Sequence, residues 1–248
     1  MKRLGRNWRK MQDIFGLALY SYWKGNHKTK YKIINDVSHI ESDSLQRYFI
    51  TYNKFPLIEK KALKHAKGKI LDVGCGAGRH IIYFQNKKFD IIGVDSSKLA
   101  VKVCKERGCR NVIVSNILNL KLKNKSFDTI LLFGNNIGIG GNLNGIKKLL
   151  KKLRSLAKKD GLLLLSSFDV KATKDKKYFS YHKRNLELGR HIGQLKLRLG
   201  YKNKFSDWFN WIHIEPHTLK KIASECKWKS ERTYKGKNGR YAMVLRAV

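Results

Sequence analysis

Lys69-Ile-Leu-Asp-Val-Gly-Cys-Gly-Ala-Gly78 decides how this chain folds. Ile70 to Val73 is a short apolar run broken by one acid, Asp72. Glycine then occupies positions 74, 76 and 78. A residue without a Cβ lets the backbone turn sharply and lets a ligand approach it closely. A helical pattern follows over 79–87, so the glycines sit at a strand-to-helix turn. The dinucleotide fingerprint is G-x-G-x-x-G; read from Gly74, its third glycine falls at position 79. Arg79 stands there instead. The spacing is G-x-G-x-G, with an acid two residues before the first glycine, and this argues against a nicotinamide-dinucleotide oxidoreductase.

Outward from this turn the chain alternates. Asp90–Val94, Asn111–Val114, Phe127–Phe133 and Gly161–Ser167 are continuous apolar runs, as parallel strands covered on both faces require. Helical patterns lie near 97–107 and 145–158. In the latter, Ile146, Leu149, Leu150, Leu153, Leu156 and Ala157 form the inward face, while Lys147, Lys148, Lys151, Lys152, Arg154 and Lys158 form a solvated basic face. Alternating strands and helices predict an α/β, Rossmann-like, doubly wound sheet, mostly parallel. Trp228–Tyr234 and Tyr241–Ala247 read as a hairpin that adds an antiparallel last strand, after a helix over 217–227 behind Pro216.

The flanks differ. Residues 1–67 read as an N-terminal helical cap: Met11, Ile14, Phe15, Ala18, Leu19 and Tyr22 recur at helical spacing, and Glu41–Tyr52 and Phe55–Ala66 are expected as two further helices. Residues 68–248 read as one domain with an insertion at 170–214. Within it, Lys171–Arg190 is polar and basic. Gln194–Gly200 alternates with period two and is expected to pair with Phe205–Ile214 as an inserted β-hairpin. Trp208, Phe209 and Trp211 are expected to pack this hairpin or to line a pocket, and His213 and His217 to lie at the surface or cap a helix.

Composition bounds the partners. The chain has 248 residues, 42% of them hydrophobic, enough for one large core. No apolar run reaches the ~20 residues of a membrane-spanning helix. The basic N-terminus lacks a small-residue cleavage site, so a cytoplasmic location is expected. Cys75, Cys104, Cys109 and Cys226 form no C-x-x-C pair and no Cys/His cluster with zinc spacing, so they read as free thiols and no metal site is expected. Lys+Arg number 54 against 18 Asp+Glu, a net charge of +36. Such a field attracts polyanions, RNA among them, without specifying chemistry.

The strand, the acid, the glycine spacing and the following helix resemble motif I of the class I S-adenosylmethionine-dependent methyltransferases. Gln12–Tyr22, Tyr52–Pro56 and Asn185–Arg190 resemble a prokaryotic group within it. The likeness covers 68–169, with the flanks matching more loosely. It implies S-adenosyl-L-methionine as cofactor and S-adenosylhomocysteine as its product. Asp72 would meet the methionyl ammonium. Gly74, Cys75, Gly76 and Gly78 would pass the amino-acid end of the cofactor. Asp95, with Ser96 beside it, would accept both ribose hydroxyls. Asn116, next to Ile117, stands where the family often carries an acid for the adenine amino group. Gly134 and Asn135 open a glycine-rich loop, with Asn136 behind them, that faces the ligand crevice. This loop lacks the Asn/Asp-Pro-Pro-aromatic signature of adenine- or glutamine-amino methylation.

The reaction implied is in-line transfer of a methyl group to a nucleophile on a small-molecule acceptor. If the nucleophile arrives protonated, candidate general bases are His182, His191, Asp169 and Tyr181. Two alternatives stand beside this: an RNA or nucleic-acid-associated methyltransferase, suggested by the charge, and a non-catalytic S-adenosylmethionine-binding module.

Overall fold

The computed structural model describes residues 13–37, 39–172 and 179–248. Met11 of the expected first helix lies outside them. The glycine turn joins β3 (Ile70–Val73) to α3 (Arg79–Asn86). Four more strands follow, β4 (Ile91–Asp95), β5 (Val112–Val114), β6 (Phe127–Leu132) and β7 (Ala157–Phe168). The last two are β11 (Trp228–Lys235) and β12 (Arg240–Ala247). They form one seven-stranded sheet in the order β11-β12-β7-β6-β3-β4-β5. β3, β4, β5, β6 and β7 pair in parallel, while β12 runs antiparallel to both β7 and β11. This is the expected doubly wound sheet with an antiparallel last strand. The strand order reverses between β3 and β6, and ligands bind at the carboxyl ends beside such a switch point.

Apolar continuity along the strands is explained by burial on both faces. Leu71, Ile130 and Leu163 are fully buried in one another's company. On one face lies α5 (Leu143–Leu156), whose Ile146, Leu149, Leu150, Leu153 and Leu156 are all within 1% of complete burial. Asn142 caps this helix by accepting from the Gly145 amide at 2.8 Å. Part of its basic face is engaged with the protein itself: Lys147 with Glu225, Lys152 with the Leu120 carbonyl and Arg154 with the Val248 carbonyl, while Lys148 and Lys151 are exposed; Ala157 and Lys158, expected on this helix, instead open β7, where Lys158 pairs with Asp128. On the other face, α3 and α2 (Leu57–Leu63) cover a second cluster that includes Phe55, Ile81 and Phe84.

The N-terminal segment departs from its helical expectation. α1 (Ile14–Trp23) forms, and packs on α4 (Lys98–Glu106). One side chain fixes both helix starts. Asp13 accepts from the Gly16 amide at 2.9 Å, from Ser97 Oγ at 2.7 Å and from the Leu99 amide at 3.1 Å. Glu41–Tyr52, however, is not a helix. Lys30–Asn35 is β1 and Ile40–Ser44 is β2, followed by two single 3-10 turns. The reason is tertiary. β1 finds a partner far along the chain in β8 (Gln194–Tyr201), with Ile33 opposite Leu199. β8 also pairs with β9 (Lys204–Phe205) and β10 (Phe209–Ile212), as expected of the insertion. The result is a five-stranded antiparallel sheet, β10-β8-β1-β2 with β9 on β8, built from both flanks. Two further helices complete the chain, α6 (Phe179–Glu187) before β8 and α7 (Pro216–Glu225) with Pro216 in its first turn.

Candidate active site

A cavity of about 570 Å³ lies between the carboxyl ends of β3, β4 and β6 and the antiparallel sheet. Its floor is the glycine turn. Gly74, Gly76 and Gly78 have φ of +69°, +56° and +77°, a region that favours glycine. Their surroundings explain the rest. A Cβ at Gly74 would lie 2.2 Å from Asn136 Nδ2, and that amide donates to the Val73 and Gly74 carbonyls, both at 3.0 Å. The loop after β6 thereby clamps the loop after β3. A Cβ at Gly78 would lie 2.4 Å from Cys109 Sγ. Gly78 is thus a packing glycine, and of the three it alone does not line the cavity.

Asp95 closes one side of the turn. Its Oδ2 accepts from the Gly76 amide and its Oδ1 from the Ser97 amide, both at 2.9 Å. Burial raises its pKa, against the lowering effect of those two amides. Each carboxylate oxygen retains acceptor capacity for a ligand. Asp72 is different: its Oδ2 is buried and has no hydrogen-bond partner. The nearest cationic atom is His80 Nδ1 at 3.7 Å. His80 Nε2 in turn lies 2.9 Å from Glu59 Oε1, which Arg79 also reaches at 2.6 Å. Burial and Arg79 lower the His80 pKa, but Asp72 and Glu59 outweigh them, so it stands above the usual histidine value. Burial likewise raises the Glu59 pKa, and His80 and Arg79 bring it below the usual value. A buried carboxylate oxygen without a partner is costly unless a donor or cation arrives to meet it.

The roof is the antiparallel sheet. Trp211 of β10 stacks so closely on the β6 loop that a Cβ at Gly138 would lie 2.3 Å from its ring. Phe209, Leu195, Leu197 and Ile33 add apolar surface, and Phe168 at the end of β7 and Val170 just beyond it line the same chamber. His213 lines it too, edge-on to Phe168 at 5.6 Å, with its Nδ1 sealed and unpartnered. Burial pushes the His213 imidazole down to about 4, so it stays neutral at ordinary pH. No lysine lines the cavity among the described residues, although the chain carries +36. Of its three arginines, Arg47 is paired with Asp43 and Arg79 with Glu59.

Asp72, Gly74, Cys75, Gly76, Asp95, Ser96, Asn116, Ile117, Gly134 and Asn135 all line this one cavity. Asn116 is already employed: its Oδ1 accepts from the Leu118 amide at 2.9 Å, which leaves its side-chain nitrogen as the donor still available. Among the candidate bases, His182 and Tyr181 line the cavity. Tyr181 is occupied, donating to Asp36 at 2.6 Å and accepting from the Lys196 amide at 3.0 Å; burial first, then Asp36, pushes its phenol up to about 12. Burial, then His191, lowers the His182 imidazole. His191 and Asp169 lie outside the lining. His191 Nδ1 accepts from the Gly193 amide, so Nε2 carries the proton that bonds Glu215 at 2.9 Å. Asp169 accepts from the Lys171 amide in a turn. His217 is exposed as expected, whereas His213 was misjudged as surface because only the folded sheet shows what covers it. The Glu59–His80–Asp72 chain has no counterpart in the sequence reading; its one sequence signal is a histidine two residues behind the last glycine of the loop.

The match to a family model described as a methyltransferase domain spans residues 64–228. A 101-residue stretch is 30% identical to an uncharacterised protein of Methanocaldococcus jannaschii, MJ1252; it covers 41% of this chain but only 37% of that protein's length. In structure the chain is similar to an S-adenosylmethionine-dependent methyltransferase of Bacteroides fragilis solved with S-adenosyl-L-homocysteine, with a TM-score of 0.81, 28% identity and 95% of each chain covered. A methyltransferase of Methanosarcina mazei shares the fold at a TM-score of 0.62 and 16% identity, over 78% of this chain and 98% of that one. The G-x-G-x-G turn, the switch-point cavity and the seven-stranded order thus meet in one conclusion: the chain belongs to the S-adenosylmethionine-dependent methyltransferase family.

Proposed function

We propose that this protein transfers a methyl group from S-adenosylmethionine to a small-molecule acceptor held beneath the antiparallel sheet. The observation that carries the cofactor assignment is the buried, unpartnered Asp72 Oδ2 beside the glycine turn, which suits a methionyl ammonium. Asp95 would hold the ribose hydroxyls with its remaining acceptor capacity. Gly74, Cys75 and Gly76 would pass the amino-acid end, with Gly78 supporting them from behind. Ser96, Gly134 and Asn135 would border the cofactor, and Asn116 and Ile117 would flank adenine, Asn116 as a donor. When bound, the sulfonium supplies an electrophilic methyl carbon for in-line displacement.

This chain's own residues exclude water and orient the acceptor. Phe168, Phe209 and Trp211 supply the apolar walls of the chamber, whose volume suits a small molecule. His182 is retained as the candidate base, with His213 as a neutral hydrogen-bonding partner. Residues 1–67 would act as the cap and 68–248 as the methyltransferase domain with its insertion at 170–214. Among the described residues no helix is long and apolar enough to cross a membrane. A cytoplasmic location is part of this proposal and rests on the sequence reading alone. The +36 charge favours RNA as the second reading.

Methyl-labelled S-adenosylmethionine incubated with the protein and a fractionated cell extract separates these readings. Label is expected in the small-molecule fraction. Label in RNA would overturn the acceptor class, and no transfer despite cofactor binding would mark a binding module.

A further inference from the structure

His80 is a buried titratable group at this site for which methyl transfer has no use. Its side chain is 6% exposed, and it is the second residue of the helix that follows the glycine loop. Both ring nitrogens face carboxylates, Nε2 at 2.9 Å from Glu59 and Nδ1 at 3.7 Å from Asp72. A neutral imidazole has one N–H and would turn a lone pair toward one of two anions; an imidazolium presents a donor to each. The charged groups facing it are Glu59 from α2, Asp72 from β3 and Arg79 on its own helix. Phe55 and Phe133 complete the wall at 5.2 and 5.3 Å without titrating. Two cations and two anions leave this buried set neutral. A third cation arriving at Asp72 breaks that balance in a medium where uncompensated charge is costly.

We propose that His80 is a positioning residue that balances Asp72 in the absence of cofactor and gives up its proton when the cofactor's ammonium meets Asp72, so that cofactor binding is coupled to release of one proton. The inference rests on the S-adenosylmethionine reading. The balance is simple. The Nδ1–H bond breaks and its proton goes to water, Nε2–H stays on Glu59, and the ammonium replaces the lost charge, so the set remains neutral. Without cofactor, against burial and Arg79, Asp72 and Glu59 hold the His80 value above the ordinary one, which favours the imidazolium. A cation beside Asp72 lowers that value. Affinity therefore rises with pH between the two values and levels off above the higher, tenfold for each unit by which binding lowers it.

Calorimetric titration of the whole protein with S-adenosylhomocysteine tests this, between about pH 6 and 7.5, where an α-amino group is largely protonated. Two buffers of very different protonation heat report the proton count directly. Wild type is expected to release between about a half and one proton, with affinity rising about tenfold across the window. His80→Gln is expected to bind without release and with affinity flat in pH. Glu59→Gln removes one of the two carboxylates that favour the imidazolium, and is expected to move the release to lower pH. Binding by wild type with no proton exchange, or equal release in His80→Gln, overturns the inference. Failure of wild type to bind S-adenosylhomocysteine at all overturns the cofactor reading instead.

Discussion

The floor and the roof of the cavity are built by different rules. The floor is local: strand, glycine turn and helix follow one another within Ile70–Asn86, and Asp95 and Asn136 fasten the turn through backbone groups. The roof is assembled from opposite ends of the chain, with Ile33 laid against Leu199 and Trp211 lowered onto Gly138. A floor made of amides and glycines can hold one constant ligand. A roof made of side chains on paired strands can be refashioned for different acceptors without disturbing the floor. The two should therefore respond separately to substitution.

Asp95→Ala strikes the floor hardest. It removes the acceptor for the Gly76 amide and, on the proposed reading, the ribose contacts. S-adenosylhomocysteine affinity measured by calorimetry is expected to fall about 100-fold, the loss of charged hydrogen bonds of roughly 1.5–3 kcal/mol each, partly compensated by water. Gly74→Ala comes next. Its φ of +69° is strained for alanine, by about 1–2 kcal/mol, and the added carbon displaces the Asn136 amide. About a tenfold loss of affinity is expected. If either variant binds as wild type, the turn is not the floor of the cofactor site.

The roof is probed through its support. Burial raises the Glu215 pKa, but hydrogen bonds from His191 and Thr218 outweigh it and hold the carboxyl well below the usual range. A depressed folded value contributes stability above the unfolded carboxylate value of about 4.3 and loses it as pH falls through the folded one. Glu215→Gln is expected to cost about 1–2 kcal/mol at pH 7 in urea melts, with the difference shrinking below about pH 4. Trp211→Leu is expected to have the smallest effect on the floor. S-adenosylhomocysteine affinity should stay within about twofold of wild type, well inside the tenfold that 1.4 kcal/mol represents. Methyl transfer to the acceptor should fall, and a parallel loss of both would show floor and roof to be one unit.

The same contrast explains what was legible in the sequence. Continuous apolar strands and the amphipathic 145–158 pattern reveal the doubly wound sheet, because each element's burial is written in its own residues. The glycine spacing and Asp95 mark the floor for the same reason. Glu41–Tyr52 was misread because β2 is a strand of alternating exposure, Ile-Glu-Ser-Asp-Ser, with few β-branched residues. Its conformation is set by β1, and β1's by β8, so no window around it contains the cause. His213 and His80 were hidden similarly. Their chemistry comes from Phe168 and Glu59, residues distant in the chain.

The most direct test of the account is titration with S-adenosylhomocysteine, with NAD as control, of wild type and Gly76→Arg. Near Gly76, a Cβ would meet only Tyr48, at 3.5 Å, so the arginine finds space in the cavity, at the cost of about 1–2 kcal/mol of backbone strain at a φ of +56°; its far-UV circular dichroism is therefore compared with that of wild type. The account predicts saturable 1:1 binding of the sulfur nucleotide by wild type, none by Gly76→Arg, and none of NAD by either. Wild type that binds NAD but not S-adenosylhomocysteine, or Gly76→Arg that binds as tightly as wild type, would contradict it.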